Sequence, residues 1–155
     1  MTGLYLEDIT VGQRFPSDAY QITEAAIIDF ARQFDPQPFH LDRAAAEASV
    51  FGGLSASGWH TAAVAMRLFM TGPLQFEGGA IGLGVDELRW PTAVRPNDTI
   101  RLETEILETR LSRSKTGYGI VRVSNTARNQ NGKVVLSYCA NALVRSRKPS
   151  ELGGG

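Results

Sequence analysis

An acid and an imidazole five positions apart are the residues of this chain best suited to chemistry. Asp35 and His40 lie in the stretch FDPQPFH, residues 34–40, which holds one of the two histidines. Proline fixes φ near about −65° and disfavours helical geometry in the preceding residue, so we expect a stiff, extended segment. Five extended residues span at most about 17 Å, so a slight bend brings both side chains to one small molecule. A carboxylate beside an imidazole can take a proton from water and return it.

The elements that position this pair follow from the spacing of apolar residues. Apolar side chains recur at helical spacing over residues 24–34, and Thr23 is a favourable N-cap, so we expect a helix there. Pro36 ends this helix and leaves Asp35 at its C-terminus, where the helix dipole tends to raise the proton affinity of a carboxylate. A second, short helix is predicted over residues 42–49.

A loop and a third helix continue toward the middle of the chain. Residues 51–58 are rich in glycine and serine, which lets other atoms approach the backbone closely. Residues 59–70 are apolar nearly all round, a pattern typical of a buried helix, with Ser57 or Gly58 as its N-cap. His60, within this helix, is expected to be a buried histidine with its polar atoms satisfied.

From about residue 80 onward the apolar period changes to two, which predicts antiparallel strands. Asn131-Gly132 predicts a hairpin between the last two of them. The strands are long, which predicts a curved sheet, and the economical packing is an α+β fold with that sheet wrapped around the apolar helix. Such a sheet has an edge that needs covering, for which a homodimer is a natural solution. The predicted strands are 81–90, 98–109, 116–128 and 133–146, after a brief one at 19–22.

Length, composition and charge limit the classes of protein to consider. With 155 residues we expect a single domain over residues 1–146 and a disordered tail over residues 147–155. Sixteen basic residues balance sixteen acidic ones, so no net charge attracts nucleic acid or an anionic membrane. The single Cys139 fits a reducing compartment. Neither a signal peptide nor an apolar run of about 20 residues is found, so we expect a cytoplasmic protein.

The order of these features resembles a known family. A helix, then DPQPFH at residues 35–40, then a Gly/Ser loop and an apolar helix, is similar to the MaoC-like dehydratases, which include the (R)-specific enoyl-CoA hydratases (hydratase 2). The later segment LRWPTAVRPNDT, residues 88–99, resembles the strand–turn–strand signature of that family. Against the hydratase motif Gly-Asp-x-Asn-Pro-hydrophobic-His, Phe34 replaces the glycine and Gln37 the asparagine. The resemblance covers nearly the whole chain and implies the hotdog fold, in which a curved antiparallel sheet wraps around a buried central helix, usually in a dimer.

The resemblance also implies a reaction and a set of site residues. The reaction is the reversible syn addition of water to a 2-enoyl thioester of coenzyme A or acyl carrier protein, without a metal or redox cofactor. Asp35 is implied as the principal base, His40 as its hydrogen-bonding partner and proton carrier, and the Gly58 N–H as donor to the substrate carbonyl. The residues expected to contact substrate are Gln37, Ser57, Trp59 and Met66, of which Ser57 and Met66 stand where the family commonly has histidine and serine.

Two other functions remain open at this point. A hotdog thioesterase usually carries an acid on the central helix, and residues 59–70 contain none. A catalytically silent subunit, which binds acyl groups or belongs to a larger complex, is kept open by the departures at Phe34 and Gln37. The candidate contacts for coenzyme A phosphates are Arg89, Arg95, Arg110, Arg113 and Lys115.

Overall fold

The strands predicted from the period of two form one antiparallel sheet. The computed structural model of the chain describes residues 3–149. Its strands are β1 (Arg14–Gln21), β2 (Ile81–Arg89), β3 (Thr99–Leu111), β4 (Tyr118–Arg128) and β5 (Val134–Arg145). They lie in the order β1-β3-β4-β5-β2, so β2 is an edge strand that, within the described residues, pairs only with β5. The four later strands begin and end within two residues of their predicted limits, whereas β1 is longer than the brief strand predicted.

The helices also begin close to where their caps predict. They are α1 (Glu24–Phe34), α2 (Pro38–Leu41), α3 (Arg43–Glu47) and α4 (Gly58–Thr71), with a short 3₁₀ helix at Leu6–Asp8. The Thr23 hydroxyl accepts the N–H of Ala26 at 3.1 Å, which satisfies one of the free donors at the start of α1. Ser57 caps α4 by accepting the N–H of Trp59 at 3.3 Å.

The segment from Asp35 to His40 is not extended throughout, so that prediction is wrong in part. Gln37 is extended, as the residue before a proline should be, but Pro38 then begins the single turn of α2. Proline suits the first position of a helix, because its φ is already helical and its missing N–H is not needed there. His40 therefore lies on a helical turn that folds back toward the end of α1.

Helix α4 is buried on one face only, which corrects the prediction that it is buried all round. Val64 and Leu68 pack against the sheet, whereas Trp59, Met66 and Met70 are each more than 40% exposed. The exposed three recur at intervals of seven and four residues and so line up along one side of the helix. A single sheet covers one side of α4 and leaves this apolar stripe open.

The core near α4 holds together the elements that carry Asp35 and His40. Ile27 from α1, Leu54 from the following loop and Val64 from α4 belong to one buried cluster with strand residues such as Leu136. Register shifts interrupt the pairing within all five strands, and irregularities of this kind increase the local twist of a sheet. The curved sheet and its helix thus confirm the predicted α+β class.

The chain beyond β5 is ordered for a few more residues. Arg147 donates through its backbone N–H to Glu7 at 2.7 Å and through its guanidinium to Asp8 at 2.9 Å. Arg147 is thus bound to the N-terminal segment, and residues 150–155 of the predicted tail lie outside the described residues. None of the helices in the described part of the chain is long and apolar enough to cross a lipid bilayer.

Candidate active site

Asp35 and His40 face each other at the junction of α1 and α2. Asp35 Oδ2 lies 3.4 Å from His40 Nε2, and the two side chains are 18% and 6% exposed. A tight turn joins them, in which the Gln37 N–H donates to the Asp35 carbonyl at 2.7 Å. The helical turn begun by Pro38 thus brings a carboxylate and an imidazole together in a partly buried position.

A hydrogen bond to the backbone selects the tautomer of His40. Its Nδ1 lies 2.6 Å from the carbonyl oxygen of Ser55, and a carbonyl can only accept, so Nδ1 carries the proton. In the neutral ring, Nε2 is then an acceptor that faces the Asp35 carboxylate. Their separation of 3.4 Å exceeds the roughly 2.7–2.9 Å of a direct charge-assisted bond. One water molecule placed beside both atoms can donate one O–H to each.

The pKa of Asp35 is lowered, because its interactions outweigh its burial. Burial acts to raise this pKa, but hydrogen bonds from the Ser57 hydroxyl and the Gln37 amide lower it, and the His40 ring lowers it further whenever the ring is protonated. The Gln37 amide donates to Asp35 Oδ1 at 2.6 Å. The helix dipole was expected to raise the proton affinity of Asp35, but the net pKa shift has the opposite direction, so that expectation is wrong. Asp35 is ionised at neutral pH and available to accept a proton.

The pair opens onto a cleft of about 350 Å³. Asp35 and His40 provide its polar end, and aromatic side chains provide much of the remaining wall. Such a combination of an apolar wall with a few polar groups is typical of small-molecule sites. The aromatic residues of the wall are Phe39, Phe51, Trp59 and Trp90.

Gly58 brings a backbone donor to the same cleft. It is the first residue of α4 and one of the residues that line the cleft. Within residues 3–149 no acceptor takes its N–H, which is one of the free donors at the positive end of the helix dipole. A developing negative charge in the cleft can therefore be stabilised by this N–H.

Trp90 explains why residue 58 is a glycine, and sequence reasoning missed it. Its indole N–H donates to the Gly58 carbonyl at 2.8 Å. A Cβ at position 58 would lie 2.6 Å from the indole ring. The ring also meets Trp59 edge-on, with centroids 5.2 Å apart. The signal available in the sequence was a tryptophan at the end of a strand, directly before Pro91.

The other predicted contact residues divide into two groups. Gln37 and Trp59 line the cleft, whereas Ser57 and Met66 do not. Ser57 is fully buried and acts on Asp35 rather than on the cleft. Met66 lies eight residues beyond Gly58, roughly 12 Å along α4, on the exposed stripe of this helix.

His60 and the candidate phosphate contacts lie away from the cleft. His60 is buried, as predicted, and stacks on Phe30 at 4.6 Å, and burial lowers its pKa. Its Nδ1 has no partner among the described residues, so the expectation that its polar atoms are satisfied is wrong. The guanidinium of Arg95 contacts backbone carbonyls of the loop before α4. None of the five predicted cations lines the cleft, and residues 3–149 contain no group of three or more metal-ligating side chains.

We predict that Gln37→Leu raises the pKa of Asp35, because it removes the amide that stabilises the carboxylate. A carboxyl group whose pKa is lower in the folded than in the unfolded protein stabilises the fold. This contribution is complete when the pH is above the unfolded-state pKa of about 3.9, and it is lost as the pH falls through the folded-state pKa. The variant therefore loses part of this stability at neutral pH. Carboxyl ¹³C NMR titration measures the pKa, and Gln33→Leu, on the exposed side of α1, is the matched control. An Asp35 pKa that stays the same or falls in the variant contradicts the assignment.

A second prediction concerns the contact between Gly58 and Trp90. Gly58→Ala should lower the free energy of unfolding by about 1–3 kcal/mol, as overpacking commonly does. In a Trp90→Ala background the same change should cost much less, because the ring that the new Cβ meets is gone. Urea unfolding of the four proteins measures this coupling. Equal costs in both backgrounds would show that the close contact is not what requires glycine.

Comparison with known proteins agrees with this geometry. Residues 8–129 match the family described as MaoC like domain. The crystal structure of the MaoC-like dehydratase from Rhodospirillum rubrum is 48% identical, with a TM-score of 0.89 over 94% of this chain and 99% of that chain. The R-hydratase PhaJ1 from Pseudomonas aeruginosa is 28% identical, with a TM-score of 0.76 over 94% of this chain and 88% of that chain.

A shorter match is found with an enzyme of known substrate. Mesaconyl-CoA hydratase from Cereibacter sphaeroides is 38% identical over 65 residues, which are 42% of this chain and 19% of that protein. The matched structures confirm the architecture predicted from the sequence, a curved antiparallel sheet around a central helix. The chain has the hotdog fold and belongs to the MaoC-like family, which it matches from the first helical turn to the hairpin between β4 and β5.

Proposed function

We propose that this protein catalyses the reversible addition of water across the C2–C3 double bond of a 2-enoyl thioester, giving a 3-hydroxyacyl thioester. The observation that carries the proposal is the pair of acceptors, Asp35 Oδ2 and His40 Nε2, 3.4 Å apart in a cleft that Gly58 also lines. Hydratases among the similar proteins support the reaction class, and the name of the Cereibacter sphaeroides enzyme supports a coenzyme A ester.

The proposed chemistry begins with one water held by both acceptors. Asp35 takes a proton from this water while the water oxygen forms a bond to C3. The π electrons of the double bond shift toward the thioester carbonyl, and an enolate results. The proton then reaches C2 through the Asp35–His40 unit, so the atoms of one water end on C3 and C2. Because a single unit handles both events from one side, the addition is syn. General acid–base catalysis of this kind contributes about 10²–10⁴-fold to rate.

The N–H of Gly58 is the proposed donor to the thioester oxygen. The negative charge on this oxygen grows as the enolate forms, so a donor fixed in advance stabilises the transition state more than the substrate. A single donor of this type is worth roughly 3–4 kcal/mol in mutational terms. The Trp90 bond to the Gly58 carbonyl holds this residue in place.

The two departures from the hydratase motif leave the pair intact. Phe34 is 69% exposed and packs on Phe30, with ring centroids 5.2 Å apart, and it does not line the cleft. Gln37 still donates an amide N–H to the Asp35 carboxylate. These placements favour an active hydratase over a silent acyl-binding subunit. The thioesterase alternative lacks its usual acid, because α4 contains neither Asp nor Glu.

We also propose that the protein works as a homodimer. The α4 stripe of Trp59, Met66 and Met70 is apolar and exposed, and β2 has one unpaired edge. Val85 of β2 pairs with Ala140, which lies opposite the buried Val123, so Val85 points to the same side of the sheet as α4. A second copy placed against β2 and α4 would cover both the open edge and the stripe.

The dimer predicts a concentration-dependent mass in sedimentation velocity. Val85→Lys should shift the protein toward the monomer, because it places a charge in the proposed interface. Val50→Lys, at a fully exposed position in the turn after α3 and on neither β2 nor α4, should leave the mass unchanged. A wild-type protein that is monomeric at all concentrations tested contradicts the proposal.

The proposed reaction is tested with crotonyl-CoA, whose enoyl absorbance falls on hydration. We expect wild-type activity and a loss of about 10²–10⁴-fold in kcat/KM in Asp35→Asn, which should still unfold in one cooperative transition. Asp29→Asn, on the exposed face of α1, is the control and should stay active. Hydration retained in Asp35→Asn contradicts the scheme, and release of free thiol from the substrate would indicate a thioesterase instead.

A further inference from the structure

The loop that supplies the acceptor for His40 is organised around one guanidinium. Arg95 Nη1 donates to the carbonyl of Gly53 at 2.8 Å and of Leu54 at 3.4 Å, and its Nη2 donates to the carbonyl of Phe51. Three carbonyls that converge on one point repel each other unless a donor group lies between them. The planar fork of arginine, with its five N–H donors, is suited to several acceptors at once.

Arg95 is itself fixed at its backbone, and within residues 3–149 its guanidinium has no acidic partner. Its N–H donates to Asp98 Oδ2 at 2.8 Å, and its carbonyl accepts the Asp98 N–H at 3.1 Å. Among the ion pairs of the described residues, none includes Arg95. The positive charge of this partly buried guanidinium is therefore directed to the loop carbonyls, and not to a neighbouring carboxylate.

The same loop touches His40 at two places. The carbonyl of Ser55, the residue after Leu54, accepts the Nδ1–H of His40 at 2.6 Å. The Phe51 ring packs 5.1 Å from Phe39 and 6.2 Å from the imidazole. Arg95 thus holds Phe51 itself and Leu54, the residue directly before Ser55.

We propose that Arg95 is a positioning residue for His40. Through residues 51–55 it keeps the Ser55 carbonyl against Nδ1 and so keeps Nε2 free as the acceptor that faces Asp35. Arg95 does not line the cleft, so it acts through the loop and not on the substrate. The part of this inference that concerns catalytic rate rests on the proposed hydratase function, whereas the part that concerns the tautomer does not.

A different role for Arg95 would be a direct contact with a coenzyme A phosphate. Its side chain borders a second, open groove of about 460 Å³, which it shares with Arg43 and Gly52. In that case its removal would raise KM for coenzyme A esters and spare the shorter pantetheine esters, which lack the nucleotide. In the positioning role both esters lose kcat equally. The two esters therefore separate these roles.

The direct test is ¹⁵N NMR of the histidine rings at a pH where they are neutral. The chain has two histidines, so His60→Gln assigns both signals. We expect one tautomer of His40 in the wild type, with the proton on Nδ1, and a mixture with the Nε2–H form in Arg95→Met. Arg95→Lys, which offers one ammonium in place of the fork, should give a smaller change. Arg43→Met, on the same groove, should give none.

Kinetics supply the second readout. We expect kcat to fall roughly 10–10²-fold in Arg95→Met with KM nearly unchanged for both crotonyl-CoA and crotonyl-pantetheine. If Arg95→Met does not fold, the smaller effects expected of Arg95→Lys decide the outcome. The proposal is overturned if the folded variant keeps the Nδ1–H tautomer, or if the only loss is a higher KM for the coenzyme A ester. A wild type that hydrates no thioester, but whose tautomer depends on Arg95, would reject the proposed reaction and keep this inference.

Discussion

The hydrogen bond from His40 Nδ1–H to the Ser55 carbonyl is the contact on which the site depends. Because a carbonyl only accepts, this bond decides which nitrogen of the neutral ring carries the proton. The bond is 2.6 Å long and joins α2 to the loop that precedes α4. Arg95, which follows β2, holds the same loop from the other side. Two parts of the chain therefore meet at one imidazole and a third holds one of them in place, so the fold sets the chemistry of the ring before any substrate arrives.

The ionisation of Asp35 results from a competition that its neighbours win. Burial in the partly closed site favours the neutral acid, but a hydroxyl and an amide hold the carboxylate in its charged form and lower its pKa. Ser57 takes part twice, because it also caps the first turn of α4. Ser57 thereby links Asp35, the proposed base, to Gly58, the next residue in the chain. A site built in this way keeps its acceptors and its donor in a fixed relation.

The sequence predicted the elements better than the contacts between them. Thr23 and Pro36 marked the limits of α1, and the Asn131-Gly132 turn marked the last hairpin, because these signals are local in the chain. The helical turn at Pro38 was missed, since proline is compatible with both an extended and a helical φ. The roles of Arg95 and Trp90 could not be read from spacing, because their partners lie more than 30 positions away. The exposed side of α4 was predicted to be buried, because an apolar helix alone does not show which protein surface covers it.

The central claim is that one acid–base unit adds water from one side of the double bond. The stereochemistry of hydration in D₂O tests it most directly, because the position of the deuterium at C2 records the side from which the proton came. With crotonyl-CoA as substrate, the coupling constants in the proton NMR spectrum of the 3-hydroxybutyryl product identify that position. The account predicts a single product with deuterium and hydroxyl added to the same face. An anti product, or deuterium scrambled between both positions at C2, would contradict it.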